Sequence, residues 1–350
     1  MTRLQSRIGT LDLKNPVIAA PAEHMIVDGG VQAAIRAGAG AVVVKSTNES
    51  TAAKAQLRAA EYVALDNRWR PVEWGPQANP ATMILSRSGL HPLEFDAWLA
   101  QAVAHDALAR KHDCLLIPSL ILADLDRAVE MARTVEQAGL RVLEFNIGTP
   151  YAREAAAGAV STETVADRVA TITRRICDTV SIPVWIKLTG QSNDVPQLAK
   201  AAVEAGAESV IVAGRLLGML PDLETQAPMI GPSGGYGGFW NLPLTCHWLA
   251  LCRAALRPDQ PLIGINGATD GHDVARMMLA GASAVGLASA VMLRGFGVIS
   301  ESVATLDDYC RGKNMSASDL VGRAADARKT FAEMPELSGH WREFVPPESR

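Results

Sequence analysis

Short apolar runs alternate with amphipathic stretches along most of the chain. Eight of these runs, at 17–20, 41–45, 115–119, 142–146, 184–188, 209–213, 262–265 and 284–288, are apolar at successive positions. Strands of this kind are buried on both faces, as parallel strands covered by helices are. The stretch 162–179 places Val165, Val169, Ile172 and Ile176 at helical spacing, and 195–205, 244–255 and 272–280 also predict helices. Three segments share one pattern: Ala37-Gly38-Ala39-Gly40-Ala41-Val42-Val43, Ala205-Gly206-Ala207-Glu208-Ser209-Val210-Ile211 and Ala280-Gly281-Ala282-Ser283-Ala284-Val285. Each reads as a helix end, a glycine cap and the next strand.

Eight strand–helix units predict an α/β fold of the (β/α)₈ barrel class. An open dinucleotide-binding sheet would carry G-x-G-x-x-G after its first strand. Here that strand runs into Ala19-Ala20-Pro21-Ala22-Glu23 instead. Residues 3–14, with Gly9-Thr10 at their centre, predict a hairpin plugging the barrel bottom. Two connections are long, 46–113 and 214–260, and loops of that length at the catalytic face are expected to cover substrate or make oligomer contacts. The whole chain, 1–350, is expected to be a single domain, with its barrel core at about 15–300 and a C-terminal helix and tail at 301–350.

Composition narrows the function. Of the 350 residues 48% are hydrophobic and 20% charged, which allows a sizeable core, and a net charge of −4 leaves no basic footprint for nucleic acid. No apolar run approaches the roughly 18 residues of a membrane span, and the first residues lack the apolar core of a signal peptide. Cys114, Cys177, Cys246, Cys252 and Cys310 form no C-x-x-C, so neither a disulfide framework nor an iron–sulfur cluster is expected, and the chain reads as cytoplasmic. No spacing of His, Cys or carboxylates predicts a metal site.

Chemistry is expected at the strand ends. Gly264-Ile265-Asn266-Gly267-Ala268 and Gly286-Leu287-Ala288-Ser289 close the last two strands with small residues, which let backbone N–H groups approach a phosphate. Gly234-Gly235-Tyr236-Gly237-Gly238 adds a second glycine-rich loop, fit to press against a flat ligand. Lys45 and Lys187 each end a buried run, which is costly unless the ammonium meets an anion or a polar ligand. The partner is a bound ligand, or a carboxylate of the chain: Glu23 or Glu49 for Lys45, and Glu144 for Lys187. The fourth run ends Glu144-Phe145-Asn146-Ile147-Gly148-Thr149-Pro150-Tyr151, an amide and a hydroxyl before a proline turn.

Taken together, over roughly residues 6–330, these motifs resemble the FMN-binding barrels of the dihydroorotate and dihydropyrimidine dehydrogenases. The resemblance implies FMN as cofactor, held by Ala19, Ala20, Lys45, Ser46, Asn146, Lys187, Gly237, Gly238, Asn266, Gly267, Ala288 and Ser289. It implies that Lys45 and Asn146 also orient the substrate. It places Thr149 where the family has its catalytic cysteine or serine; a threonine needs a water or an oriented partner to move a proton. His24, directly after the first strand, is a second candidate for that role.

The chain departs from the family where orotate would be read. Three expected asparagines are replaced, at Ser86 (beside Arg87), Tyr151 and Gly214-Arg215. A site built from amides loses affinity when they go, because the ligand's polar groups are left unpaired. Ser86, Arg87, Tyr151 and Arg215 are therefore expected to bind an anionic, cyclic or unsaturated substrate other than orotate, although both arginines also suit solvated loops. The expected activity is hydride exchange between flavin N5 and a CH–CH or conjugated C=C bond. The alternatives are a true dihydroorotate or dihydropyrimidine dehydrogenase with a divergent loop, a non-redox flavin-binding subunit, and a lysine Schiff-base barrel. By analogy a homodimer is expected, with a soluble acceptor or a separate electron-transfer partner; neither nucleic acid nor membrane is expected.

Overall fold

The computed structural model describes residues 2–149, 155–212 and 214–349. Its eight parallel strand positions are β1 (Val17–Ala19), β2 (Ala41–Val43), β3 (Leu115–Ile117 and Ser119–Ile121), β4 (Leu143–Asn146), β5 (Val184–Lys187), β6 (Ser209–Val212), β7 (Leu262–Ile265) and β8 (Ala284–Leu287). They follow one another around a closed ring. The first part of β3 pairs with β2 and the second part with β4, so β3 is both ends of the sheet. Pro118 interrupts β3, since it has no N–H for the ladder, but its carbonyl still accepts from Glu144 N at 3.0 Å.

Helices α1 (Asp28–Arg36), α2 (Phe95–Lys111), α3 (Leu125–Gln137), α4 (Ala166–Cys177), α5 (Val195–Glu204), α6 (Leu242–Ala255), α7 (Gly271–Leu279) and α8 (Gly297–Lys313) cover the barrel. Asp124, Asp194 and Asp270 cap α3, α5 and α7 with side-chain oxygens on orphan N–H groups. The repeated Ala-Gly pattern ends α1, α5 and α7, with Gly38, Gly206 and Gly281 at φ of 90°, 111° and 123°. In each case the next residue's N–H reaches back to a carbonyl five residues earlier, as in Ala39 to Ala34, which closes a Schellman turn. The helix expected from 162 starts at Ala166; Val165 is its cap residue and is exposed.

Strand residues alternate between two cores. Ile18, Ile117, Val142, Trp185, Ile211 and Ile263 fill the barrel interior, while Val17, Leu116, Leu143, Phe145, Ile186 and Val210 meet the helices. The N-terminal hairpin (Ser6–Ile8 with Leu11–Leu13) inserts Ile8 and Leu13 into the interior cluster, as the sequence predicts for a plug.

The two long connections do not run as loops. Glu61–Leu65 and Met83–Arg87 from the first pair antiparallel with Gly234–Gly237 and Leu216–Gly218 from the second, giving a four-stranded cap sheet. Its core holds Leu65, Met83, Leu85 and Ile230, with Tyr236 and Trp240 stacked on one another at 4.6 Å. Residues 331–349 form short turns with exposed side chains, including Phe331 and Phe344. Among the described residues no helix is long and apolar enough to cross a membrane, and no cluster of potential metal ligands occurs.

Candidate active site

A cleft is lined by residues from the strand ends and from the cap sheet. Ala20 follows β1, Lys45 and Ser46 follow β2, and Asn146 and Thr149 come from β4 and its loop. Lys187 ends β5 and Arg215 follows β6. Asn266 and Gly267 follow β7, and Ala288 and Ser289 follow β8. Ser86 and Gly237 line it from the cap.

Four residues named from the sequence are not on this wall. Ala19 points the other way from Ala20, by strand alternation, and packs in the outer core. Gly238, at φ 148°, lies against Met83: a Cβ there would stand 3.1 Å from the Met83 Cα. The His24 ring turns aside and meets Phe296 edge-on at 5.7 Å. Arg87 is bound within the cap, donating to Ala59 O at 2.7 Å, Glu61 Oε2 at 2.9 Å and the Ile230 carbonyl. Tyr151 lies outside the described residues.

The charges are organised in pairs. Lys45 Nζ donates to Glu23 Oε1 at 2.8 Å, and Lys187 Nζ donates to Glu144 Oε1 at 3.2 Å. Both ammonium groups line the cleft, while both carboxylates stand behind them. Burial pushes the Lys45 ammonium down, against the opposing pull of Glu23. Burial pushes Glu23 up, but Lys45, Arg215 and Tyr62 together outweigh it, and the carboxyl sits below its ordinary value. Burial lowers the His24 imidazole to about 4, with Glu23 opposing, so it is neutral near pH 7. Arg215 donates to Ser86 Oγ at 3.2 Å and to Ser88 Oγ, and Ser86 Oγ in turn donates to Gly235 O at 3.2 Å. The described wall carries three cations, Lys45, Lys187 and Arg215, and no carboxylate.

Backbone constraints shape the rest. Asn146 Oδ1 accepts from Gly148 N at 3.0 Å, and a Cβ on Gly148 would lie 2.3 Å from the backbone of Leu188 and Thr189. Only glycine fits where the β4 loop crosses the end of β5. Asn266 adopts φ 69° and donates from Nδ2 to Gly214 O at 3.3 Å, which ties the end of β7 to that of β6.

Comparison with known proteins assigns this arrangement. The family model described as dihydroorotate dehydrogenase matches residues 75–308. The chain belongs to the dihydroorotate dehydrogenase family. The chain is 32% identical over 180 residues to a dihydroorotate dehydrogenase A (fumarate) of Lacticaseibacillus paracasei, a match that covers 51% of this chain and 60% of that protein. With the dihydroorotate dehydrogenase A (fumarate) of Lactobacillus delbrueckii subsp. bulgaricus, identity is 30% over 293 residues, 80% of this chain and 85% of the relative. A dihydroorotate dehydrogenase B (NAD(+)), catalytic subunit, of Methanocella arvoryzae is 26% identical over 323 residues, 92% of this chain and 98% of that protein.

Dihydroorotate dehydrogenase family members are FMN-dependent oxidoreductases acting on CH–CH bonds. The residues present fit that cofactor. Ala20, Gly237, Gly267, Ala268, Gly286 and Ala288 line the cleft with no side chain beyond Cβ, which leaves backbone open to a flat ring and a phosphate. Lys45, Ser46, Asn146 and Lys187 line the same cleft and supply donors and acceptors. Sequence reasoning missed Tyr62, Gln56, Ser88, Leu90, Ile121, Val160 and Met292, which also line the cleft. Tyr62 and Ile84 had a signal, the apolar runs 62–65 and 83–85, which reads as strand.

Proposed function

We propose that the protein exchanges hydride between FMN and a CH–CH or conjugated C=C bond of a small anionic substrate, cyclic or unsaturated, other than orotate. The observation that carries this is the wall of the cleft: three cations, no carboxylate among the described lining, and serines and an arginine where orotate-reading amides are expected. The flavin supplies the hydride acceptor or donor. Lys45, held by Glu23, and Asn146, held by Gly148 N, orient the substrate beside it. Arg215, braced by Ser86 and Ser88, takes a carboxylate or another anion. The proton is assigned to Thr149, whose hydroxyl needs a water to relay it. The His24 relay is less favoured, because its ring faces Phe296. The cap sheet contributes Tyr62, Ile84, Ser86, Gly235 and Gly237 to the cleft beside the reacting pair. A soluble acceptor or a partner subunit reoxidises the flavin, and a cytoplasmic homodimer is the form in which the enzyme is proposed to work.

A second reading, true dihydroorotate dehydrogenase, is favoured by the names of the relatives. The purified protein should absorb near about 370 and 450 nm and release FMN on denaturation. Anaerobic mixing with dihydroorotate then separates the readings. Under the first, the flavin stays oxidised while dithionite reduces it. Bleaching by dihydroorotate within seconds would establish the second. A flavin that no dihydro-compound reduces would leave a binding subunit without redox chemistry. A colourless protein that takes up no FMN would refute all three.

A further inference from the structure

The floor of the cleft is polar, although it rests on the apolar barrel interior. On β4, Leu143 and Phe145 face the helices, whereas Val142 belongs to the interior cluster with Trp185. Alternation turns Glu144 inward with Val142, and its side chain is only 2% exposed. Glu144 is in register with Ser119 on one side and Trp185 on the other. A carboxylate in such a place is costly unless donors meet it.

Two donors do, at one oxygen. Ser119 Oγ donates to Glu144 Oε1 at 2.7 Å, and Lys187 Nζ donates to the same atom at 3.2 Å. Ser119 has one hydroxyl proton, and it is committed to Glu144. The 2.7 Å contact between Ser46 Oγ and Ser119 Oγ is therefore a bond that Ser46 donates. The chain has a direction: Ser46 to Ser119 to Glu144, with Lys187 entering from the other end. Its two ends line the cleft; its two middle members do not.

This order fixes what a ligand meets. With its proton used, Ser46 faces the cleft as an acceptor. Lys187 faces it as a donor whose positive charge is opposed by a carboxylate directly behind. We propose that Glu144 is a positioning residue that sets the hydrogen-bond polarity and net charge of the cleft floor, and through Lys187 tunes the reduction potential of bound flavin. The proposal rests on the FMN reading above. A cation near the flavin ring favours its reduced, anionic form, and the buried carboxylate offsets that effect.

The test is the two-electron midpoint potential of FMN in the purified holoenzyme and in variants, with thermal unfolding as a control for folding. Glu144→Gln keeps the shape and an acceptor for Ser119 but removes the charge. It should favour reduced flavin at least tenfold, a rise of about 30 mV for a two-electron couple. In a Ser46→Ala background, where no freed Ser46 proton can turn to the flavin, Ser119→Ala takes a donor from Glu144 and leaves its charge more fully on Lys187, so the equilibrium should shift about threefold toward oxidised flavin. In a Lys187→Met background, Glu144→Gln should have no further effect. An unchanged or lowered potential in Glu144→Gln overturns the proposal, as does an equal shift with and without Lys187. If Glu144→Gln does not fold, the sign of Ser119→Ala in the Ser46→Ala background decides: a fall supports the proposal, and no change or a rise overturns it. Wild-type protein that takes up no FMN would overturn the function proposed above; wild-type protein with FMN but insensitive variants would overturn only the role of Glu144.

Discussion

At the residue scale, burial decides the protonation of the turn after β1. His24 is neutral because its ring is enclosed, with both nitrogens out of water and unbonded. Its value of about 4 lies below the ordinary 6.5, so between those pH values the unfolded chain binds more protons than the folded one. Stability contributed by the buried neutral ring is whole above pH 6.5 and is lost as pH falls toward 4, by on the order of 3 kcal/mol. His24→Leu should remove much of that acid sensitivity. Urea midpoints at pH 7 and pH 4.5 measure it, and an equal drop in wild type and variant would show that His24 is not the titrating group. The lysines were legible from sequence, since an ammonium ending a buried strand must meet something. Which carboxylate answers Lys45 was not: Glu49 is the acid nearest to it in sequence, yet its Oε1 accepts from Asp124 N at 2.9 Å, and Glu23 takes the pair. Only the placement of β1 beside β2 settles that choice.

At the element scale, the barrel strands were legible and the cap strands were not. A strand buried on both faces writes its position as an unbroken apolar run. The runs at 62–65 and 83–85 are apolar too, but the next strand of that sheet, Gly234–Gly237, is mostly glycine and carries no pattern of its own. The turns between strands and helices carry function as well as form. Gly267 sits at φ 122°, and a Cβ there would lie 2.6 Å from the Leu242 backbone that opens α6. Gly267→Ala should cost about 2 kcal/mol in strain and displacement and weaken FMN about tenfold. Gly139→Ala, at φ 80° with open space around it, is the control: it should lose stability but leave FMN binding unchanged. Urea unfolding and a flavin-fluorescence titration read both effects. Equal loss of FMN affinity in the two variants would show that the β7 turn is not part of the cofactor's seat.

At the scale of the whole molecule, eight repeated units made the barrel readable, and the plug followed from one short hairpin with Ile8 and Leu13 at its inward positions. The cap needed knowledge that β2 and β6 stand opposite one another in the ring, so that the connections after them meet across its mouth. That dependence has a kinetic side. Ser86 and Gly235, hydrogen-bonded in the cap, are 149 residues apart in sequence. Closing so long a loop is favourable only after the intervening β3 to β6 units have formed, which predicts that the cap folds last and opens first. Amides of Met83–Arg87 should exchange with deuterium well before those of β4 to β7, and bound FMN should slow the first group most; uniform exchange across both sheets would show one cooperative unit instead. A barrel finished before its roof can take in a large, rigid cofactor during folding and then shut over it, leaving only the small substrate to come and go.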